Sequence, residues 1–295
     1  MHQPTTLEKL QKGKPLTDSP ALRKFRQRIY PLLLRVTEVS MGYKLECINR
    51  PCPIPGKPII FTSNHSGPQD TVMVMRSSGI HSYILSGTQK LLPVDHLFFR
   101  INGTIWVDRQ NKADMSAVKG ALHKQLMHGN NIMWFPEGTW NLTPSLLMLP
   151  MRWGIIETAR NAGAQILPMA LDYDRDKKIC RAKFAAPMAD QALASNTEGI
   201  THLRDTMATL RWDLMQKSQL ITHRSQVTPD QLEAEMQRPL QEYPTLDWDY
   251  ERSIIFNPKN ICDFKEAFRF LNGLSLGPKN SFLAKLKLEY RELYG

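Results

Sequence analysis

The sequence of 295 residues contains no run of about 18 apolar residues, so it predicts no obvious membrane-spanning helix. Its opening residues, Met-His-Gln-Pro-Thr-Thr-Leu-Glu-Lys, include no apolar stretch, so we expect no signal peptide. The cysteines are scattered without Cys-x-x-Cys spacing: Cys47, Cys52, Cys180 and Cys262. The sequence therefore predicts no metal site, and it predicts free thiols in a reducing compartment.

Signatures of two other protein classes are also expected to be missing. A lipid hydrolase with a serine nucleophile needs a Gly-x-Ser-x-Gly elbow, and we expect no such elbow here. A nucleic-acid binder is suggested by the net charge of +10, but no helix-turn-helix, zinc or single-strand-binding signature accompanies it. Ten basic and four acidic residues lie within residues 1–50. Such a basic surface can face nucleic acid, anionic lipid or an acidic carrier protein, and charge alone does not choose among them.

A basic amphipathic helix is predicted near the N-terminus. Ser19 and Pro20 suit a helix start, because a capping side chain precedes a proline at the first helical position. Apolar residues follow within an arc of roughly 100°: Leu22, Phe25, Ile29, Leu32, Leu33 and Val36. Basic residues lie outside that arc: Arg23, Lys24, Arg26, Arg28 and Arg35. The helix either packs its apolar arc on the core or lies on a membrane surface, with its arginines on lipid phosphates.

Strands and helices then alternate along the chain. Apolar runs predict strands at residues 58–62, 82–86, 103–107, 131–135 and 165–171, and a further strand at 178–184. Helical spacing lies between them, at residues 68–77, in a segment that stops at Gly129, and at 153–161. This alternation predicts an α/β fold with a mainly parallel sheet flanked by helices. Pro168 predicts an edge or a local break in the strand that contains it. Further helices follow, at residues 198–217, 229–242 and 281–293, with an aromatic stretch around residues 243–256.

A histidine and an aspartate stand at the end of the first of these strands. Residues 64–70 read Asn-His-Ser-Gly-Pro-Gln-Asp, so His65 precedes Asp70 by five residues. Ligands of open α/β sheets bind outside the carboxyl ends of the strands. The Asp70 carboxylate can fold back onto one ring nitrogen of His65 and leave the other as a base. Taken alone, the pair is also compatible with an ordinary loop histidine and an aspartate at a helix N-terminus.

Two further segments end strands in the same way. Residues 103–109 read Gly-Thr-Ile-Trp-Val-Asp-Arg, and Arg109 can deliver a phosphate-binding guanidinium to the sheet edge that carries His65. Residues 135–139 read Phe-Pro-Glu-Gly-Thr, where Glu137, Gly138 and Thr139 can offer polar groups to a substrate head. Residues 166–170, Ile-Leu-Pro-Met-Ala, form a fourth block that is weak on its own.

These blocks in this order resemble the 1-acyl-glycerol-3-phosphate acyltransferase family, which moves a fatty acyl chain from a thioester to a glycerolipid hydroxyl. The resemblance covers roughly residues 57–185. It implies that His65 and Asp70 are catalytic, that Arg109 helps to hold the acceptor phosphate, and that Glu137, Gly138 and Thr139 position the acceptor head. It implies acyl-coenzyme A or acyl carrier protein as co-substrate and no metal or other cofactor.

The third block departs from the family pattern. The family commonly continues as Phe-Pro-Glu-Gly-Thr-Arg-Ser, whereas Trp140 and Asn141 follow here. Either another cation replaces the missing arginine, with Arg152 as a candidate, or the acceptor head is not a plain phosphomonoester. Asn141 and residues 151–154, Met-Arg-Trp-Gly, also resemble motifs of tafazzin-like transacylases, which act on larger phospholipid heads. In the first block, Gly67 stands where the family usually has serine.

The sequence as a whole predicts three regions: a basic amphipathic membrane-surface region (1–50), an acyltransferase domain (51–220) and a C-terminal helical extension (221–295). We expect a cytoplasmic protein, peripheral on the inner face of the membrane, whose partners are anionic lipids, a lysolipid acceptor and the acyl thioester, and not nucleic acid. Two alternatives remain open. One is transfer to a different lysolipid or aminolipid, and the other is a catalytically silent lipid-binding protein on the same fold.

Overall fold

The computed structural model describes residues 19–87, 93–108, 111–141, 146–218, 224–242 and 269–294. The strands are β1 (Lys44–Cys47), β2 (Ile59–Thr62), β3 (Ser82–Gly87), β4 (Thr104–Val107), β5 (Asn131–Trp134), β6 (Gln165–Asp174) and β7 (Ile179–Phe184). The helices are α1 (Pro20–Met41), α2 (Asp70–Ser78), α3 (Pro93–Asn102), α4 (Lys112–Met127), α5 (Gly154–Ala162), α6 (Asn196–Ser218), α7 (Pro229–Glu242), α8 (Phe270–Gly273) and α9 (Ala284–Tyr294).

The strands form one sheet in the order β1-β7-β6-β2-β5-β3-β4. Neighbouring strands are parallel, except that β6 and β7 run antiparallel. A helix follows each strand from β2 to β5, as parallel connections require, whereas β7 follows β6 directly. The predicted α/β class, with a mainly parallel sheet flanked by helices, is therefore confirmed, and so are the N-terminal helix and the C-terminal helices.

Each face of the sheet carries its own apolar core. Successive residues of a strand point to opposite faces. Ile60 and Ile132 accordingly belong to a cluster with residues of α4, α5 and α6. Their neighbours Phe61 and Met133 belong to a second cluster, with residues of α1 and α2. Burial on both faces explains the almost continuous apolar strands, and each fully buried side chain of this size contributes about 1.5–3 kcal/mol.

β1 and α3 are among the elements that were not predicted from the sequence. β1 is only four residues long and reads Lys-Leu-Glu-Cys, which is too short and too polar to show a strand period. It becomes a strand because it pairs in parallel with β7 at the end of the sheet. α3 begins at Pro93 without Ser, Thr, Asp or Asn before it, so the usual sign of a helix start is absent.

Pro168 does not lie in an edge strand, because β6 lies between β7 and β2. Residues 165–168 of β6 pair with β2, whereas residues 169–174 pair with β7. Pro168 therefore stands where the strand changes its main partner, which agrees with the local break and not with the edge. Proline lacks a backbone N–H, so it costs least where the pairing is already interrupted.

Helix α1 begins as predicted, with Ser19 accepting from the backbone N–H of Leu22 at 3.2 Å and Pro20 in the first turn. Its burial differs from the core-packing interpretation. Arg26 and Tyr30 face inward, where the Arg26 guanidinium donates to the carbonyl oxygen of Ile101 at 3.1 Å and the Tyr30 hydroxyl to that of Ile80 at 3.1 Å.

Much of the predicted apolar arc of α1 is exposed instead. The exposed fractions are 37% for Leu22, 54% for Phe25, 64% for Leu32 and 58% for Val36. α1 therefore packs on the sheet through Tyr30, Leu33 and Leu34 together with these polar anchors, and part of its predicted apolar arc is left outward. Among the helices that the structure describes, none has both the length and the apolar composition needed to cross a bilayer.

The chain divides into two compact units, Met1–Asp247 and Trp248–Gly295. In the second unit the described residues form α8, a short 3-10 turn at Ser281–Leu283, and α9. The final helix is thus close to its predicted position, whereas the aromatic stretch expected around residues 243–256 lies outside the described residues. The boundaries 1–50, 51–220 and 221–295 remain a prediction.

The expectation that the chain lacks a Gly-x-Ser-x-Gly sequence is wrong. Residues 273–277 read Gly-Leu-Ser-Leu-Gly. The structure nevertheless differs from a hydrolase elbow, which needs a sharp turn from a strand into a helix. Ser275 is exposed and follows the four-residue helix α8, and the described part of this unit contains no strand. The motif letters therefore occur without the backbone that makes such a serine nucleophilic.

Candidate active site

The loop between β2 and α2 carries the His65–Asp70 pair at the carboxyl end of a central strand. Asn64, which is fully buried, ties this loop to β6. Its side-chain oxygen accepts from the backbone N–H of Leu171 at 2.7 Å, and its amide nitrogen donates to the Leu171 carbonyl at 3.0 Å. These two hydrogen bonds satisfy buried backbone groups of β6 and hold the start of the loop in place.

Asp70 lies in the first turn of α2 and is fully buried. Its Oδ2 accepts from His65 Nδ1 at 2.8 Å, from the backbone N–H of Gly67 at 2.9 Å, and from the backbone N–H of Ser66. Its Oδ1 accepts from the Tyr173 hydroxyl at 2.6 Å. The backbone N–H groups can only donate, so the Asp70 side chain acts toward them as an acceptor.

The orientation of His65 follows from this contact. A carboxylate at Nδ1 selects the tautomer with the proton on Nδ1, which leaves Nε2 as an acceptor. The side chain of His65 is 17% exposed, whereas that of Asp70 is inaccessible. The structure thus brings together the two residues that the sequence paired. A histidine with this partner can take a proton from an alcohol that reaches Nε2.

The segment 135–141 encloses His65 from the neighbouring strand β5. The Phe135 ring stacks on the imidazole at a centroid distance of 4.2 Å, and the Trp140 ring meets it edge-on at 5.9 Å. The backbone is held as well, since the N–H of Asn141 donates to the His65 carbonyl at 2.6 Å. The residues that replace the family's usual Arg-Ser thus contact the histidine in this chain.

The Glu137 carboxylate points into the protein. Its Oε1 accepts from the backbone N–H of His65 at 2.9 Å, and its Oε2 from that of Leu149 at 2.7 Å. Burial raises the pKa of Glu137 to about 7, and the two N–H donors and the charge of Arg211 limit that rise. With both oxygens occupied by backbone groups, the geometry favours a role for Glu137 in holding His65 rather than in direct contact with a substrate head.

The other predicted residues of this segment are placed differently. Gly138 has a φ of +73°, a conformation that favours glycine, and its N–H closes the turn onto the Phe135 carbonyl at 3.1 Å. Thr139 is only 6% exposed. Both lie in the turn that follows β5, beside the histidine loop, so they remain candidates for polar contacts at its mouth.

Of the two predicted arginines, only Arg152 lies among the described residues. Arg109 lies outside the described residues, but it follows β4, which stands three places from β2 in the sheet. At about 4.8 Å per strand, that is roughly 14 Å across the sheet. Arg152 is half-buried, and its backbone N–H donates to the Pro136 carbonyl at 3.1 Å, so it lies next to the turn of the third motif.

Two residues of the site were not predicted. Asn64 belongs to the first motif, but its hydrogen bonds to the backbone of Leu171 join it to a strand more than a hundred residues away in sequence. Tyr173 stands 103 residues after Asp70, and no local pattern distinguishes it from a core tyrosine. In the described part of the chain, no group of three or more His, Cys, Asp or Glu side chains is arranged to hold a metal ion.

The chain is similar in sequence to known proteins. Residues 44–172, which include the histidine loop and segment 135–141, match the model of the acyltransferase family. The chain is 26% identical over 140 residues to the 1-acyl-sn-glycerol-3-phosphate acyltransferase of Neisseria gonorrhoeae, covering 47% of this chain and 54% of that one. It is 25% identical over 122 residues to the lyso-ornithine lipid O-acyltransferase of Pseudomonas aeruginosa, covering 41% and 46%. The chain spans about half the length of the curated relatives it matches.

A solved structure shares the fold. The crystal structure of the 1-acyl-sn-glycerophosphate acyltransferase PlsC from Thermotoga maritima superimposes with a TM-score of 0.54, at 14% identity, over 65% of this chain and 82% of that one. This likeness confirms the fold class, and the sequence matches described above confirm the resemblance stated from the motifs.

Proposed function

We propose that this protein transfers a fatty acyl chain from an acyl thioester to the hydroxyl of a lysoglycerophospholipid of the 1-acyl-glycerol-3-phosphate type. The proposal starts from the match of residues 44–172 to the acyltransferase family. The observation that carries the proposal is the buried Asp70 carboxylate on Nδ1 of His65, with the ring held so that Nε2 is left as a base. The named activities of the curated relatives support it.

In the proposed reaction, His65 Nε2 takes the proton of the acceptor hydroxyl as its oxygen attacks the thioester carbonyl. Asp70 stabilises the imidazolium that forms. The tetrahedral oxyanion then collapses, the carbon–sulfur bond breaks, and the leaving thiolate takes the proton back from His65. The products are an ester and a free thiol, and no acyl-enzyme is formed. The thiol belongs to coenzyme A or acyl carrier protein, and the reaction needs no metal or further cofactor.

For the acceptor head, we assign the phosphate to Arg109 and Arg152, with Gly138 and Thr139 lining the turn beside Arg152. A guanidinium suits this role because its fork of N–H donors matches two phosphate oxygens. Glu137 contributes in our scheme by holding the backbone of His65. Its two hydrogen bonds to backbone N–H groups support that assignment.

The acceptor would be reached at a membrane surface through α1. Its outward apolar side chains, including Phe25 and Leu32, suit the acyl boundary of a bilayer. Exposed Lys24, Arg28 and Arg35 on the same helix suit anionic head groups, at about 1 kcal/mol per basic residue near such a surface. The protein is accordingly proposed to be cytoplasmic and peripheral on the inner face of the membrane.

A second acceptor class is favoured by one observation. Trp140 stands where the family's third motif usually carries arginine, so this position has no positive charge, and the Trp140 ring lies against His65. A site with less positive charge favours a lysolipid or aminolipid whose head is not a phosphomonoester. The lyso-ornithine lipid named for one relative supports acceptor variation among such proteins.

The test is acyl transfer by the purified full chain with acyl-coenzyme A or acyl carrier protein and a panel of lyso-acceptors. His65→Ala is run alongside, with circular dichroism to verify its fold. Transfer to lysophosphatidic acid that disappears in the variant supports the main proposal, and transfer only to another lysolipid supports the second. Substantial activity in His65→Ala would refute the base assignment. Absence of transfer to every acceptor would favour a silent lipid-binding protein.

A further inference from the structure

We propose that Tyr173 is a positioning residue for acyl transfer: its hydroxyl holds Asp70, and through Asp70 it holds the ring of His65. This inference rests on the function proposed above, and Tyr173 itself contacts neither the acceptor nor the thioester in that reaction.

The two oxygens of Asp70 are held by different parts of the chain. Oδ2 is shared by His65 Nδ1 and the backbone N–H groups of Ser66 and Gly67, all from the histidine loop. Oδ1 is held by the Tyr173 hydroxyl at 2.6 Å, from strand β6. Without this hydroxyl, a buried carboxylate oxygen loses its donor among the described residues. The plane of the carboxylate is then fixed from one side only.

Strand β6 is itself fixed relative to the histidine loop. The paired hydrogen bonds between the Asn64 side chain and Leu171 set the register at that point. Tyr173 is two residues further along, and residues two apart in a strand share a face. The ring of Tyr173 also meets Tyr43 edge-on at a centroid distance of 5.5 Å. The Tyr173 hydroxyl therefore reaches Asp70 from strand β6, which is itself hydrogen-bonded to the histidine loop through Asn64.

Toward Asp70 the hydroxyl acts as a donor, and the buried thiol of Cys180 is its other polar neighbour. Burial and the charge of Asp70 raise the pKa of Tyr173 well above its ordinary value. This direction favours the protonated hydroxyl and agrees with an orienting hydrogen bond from Tyr173 to Asp70.

A purely structural tyrosine and a positioning tyrosine predict different kinetics. Loss of a structural contact lowers thermal stability and leaves kcat unchanged at temperatures where the protein is folded. Loss of an orienting contact lowers kcat and leaves KM unchanged, because the interaction matters only once His65 exchanges its proton. Tyr43→Phe is the matched control, since it removes a hydroxyl from the same pair of rings without touching Asp70.

The experiment compares wild type, Tyr173→Phe, Tyr43→Phe and His65→Ala in the full chain. We expect kcat of Tyr173→Phe to fall by about tenfold, as for the loss of one strong hydrogen bond to a charged group, with KM unchanged and Tyr43→Phe close to wild type. A Tyr173→Phe protein with the kcat of wild type would overturn the inference. Activity retained in His65→Ala would instead refute the proposed function. Failure of the inference and failure of the proposed function therefore give different results.

A second readout needs no substrate. In protein labelled with ¹⁵N-histidine, the Nδ1 proton signal of His65 is identified by its absence in His65→Ala. We expect this signal to shift or broaden in Tyr173→Phe and to stay in place in Tyr43→Phe. If Tyr173→Phe does not fold, 3-fluorotyrosine at position 173 keeps the ring and the hydroxyl but strengthens the donor. An unmoved His65 signal in that protein would overturn the inference as well.

Discussion

Replacing Glu137 by glutamine should make the unfolding free energy less dependent on pH. Burial raises the pKa of Glu137 to about 7 from an ordinary value of 4.5. Between these two pH values the folded protein keeps a proton that the unfolded chain has released. Unfolding therefore releases a proton, and rising pH favours the unfolded state. The stability that depends on this proton is fully present below pH 4.5 and is lost as the pH rises through 7.

The size of the effect follows from the same two values. At about 1.4 kcal/mol per pKa unit, a difference of about 2.5 corresponds to about 3 kcal/mol. The glutamine of the Glu137→Gln variant has no proton to release, so this part of the pH dependence disappears. The unfolding free energy of wild type, relative to Glu137→Gln, should fall by that amount between about pH 4.5 and about pH 8.

The assay is urea denaturation of both proteins at half-unit steps across this range. Glu198→Gln makes the same chemical change at an exposed position in the first turn of α6, and it controls for net charge. A difference between wild type and Glu137→Gln that stays constant across the range would refute the reasoning. Such a result would mean that the carboxylate is already charged in the fold and is stabilised by the N–H groups of His65 and Leu149.

Three other changes test the remaining parts of the site. Asp70→Asn should lower kcat by on the order of 10³-fold, because the His65 imidazolium loses its counter-charge; a loss below tenfold in steady-state assays would contradict this. The double variant Phe25→Ser, Leu32→Ser should bind liposomes at least about tenfold more weakly in a sedimentation assay, because each apolar side chain contributes about 1.5–3 kcal/mol. Its activity on a soluble short-chain acceptor should be kept, and liposome binding equal to that of wild type would contradict the membrane role. Trp140→Arg should raise kcat/KM for a phosphomonoester acceptor relative to other lysolipids by about tenfold, as one charged hydrogen bond allows, and an unchanged ratio would count against head-group selection at this position.

Most of the fold was predictable because the strands carry a strong local signal. Both faces of the sheet are covered, so β2 reads as an uninterrupted apolar run that ends where a turn begins. The elements that were missed lack such signals, as β1 shows: its half-exposed pattern becomes a strand only through pairing with β7. The edge position suggested by Pro168 also failed, because a strand can change partners at a proline while remaining inside the sheet.

Which face of α1 packs inward was harder to predict than the presence of the helix. Hydrophobic spacing describes which side chains share a face, but not which face meets the core. Arg26 and Tyr30 are anchored by hydrogen bonds to the carbonyl groups of Ile101 and Ile80, and these contacts turn the helix so that Phe25 and Leu32 face outward. Long-range polar contacts of this kind leave no periodic trace in the sequence.

The same limitation explains why Glu137 was recognised as a motif residue while its contacts were not predicted. β2 and β5 are parallel neighbours in register, with Thr62 opposite Trp134, so the two loops that follow these strands must meet. The sequence motifs therefore predict proximity. They do not predict that Glu137 turns inward onto the backbone of His65, because that direction depends on Leu149, which completes its second hydrogen bond. A motif glutamate occupied in this way is poorly placed to bind an acceptor head. Under the proposed function, we therefore expect head-group selection to depend on other residues, and Trp140 and Arg152 are the positions around the turn where a change of charge would test this.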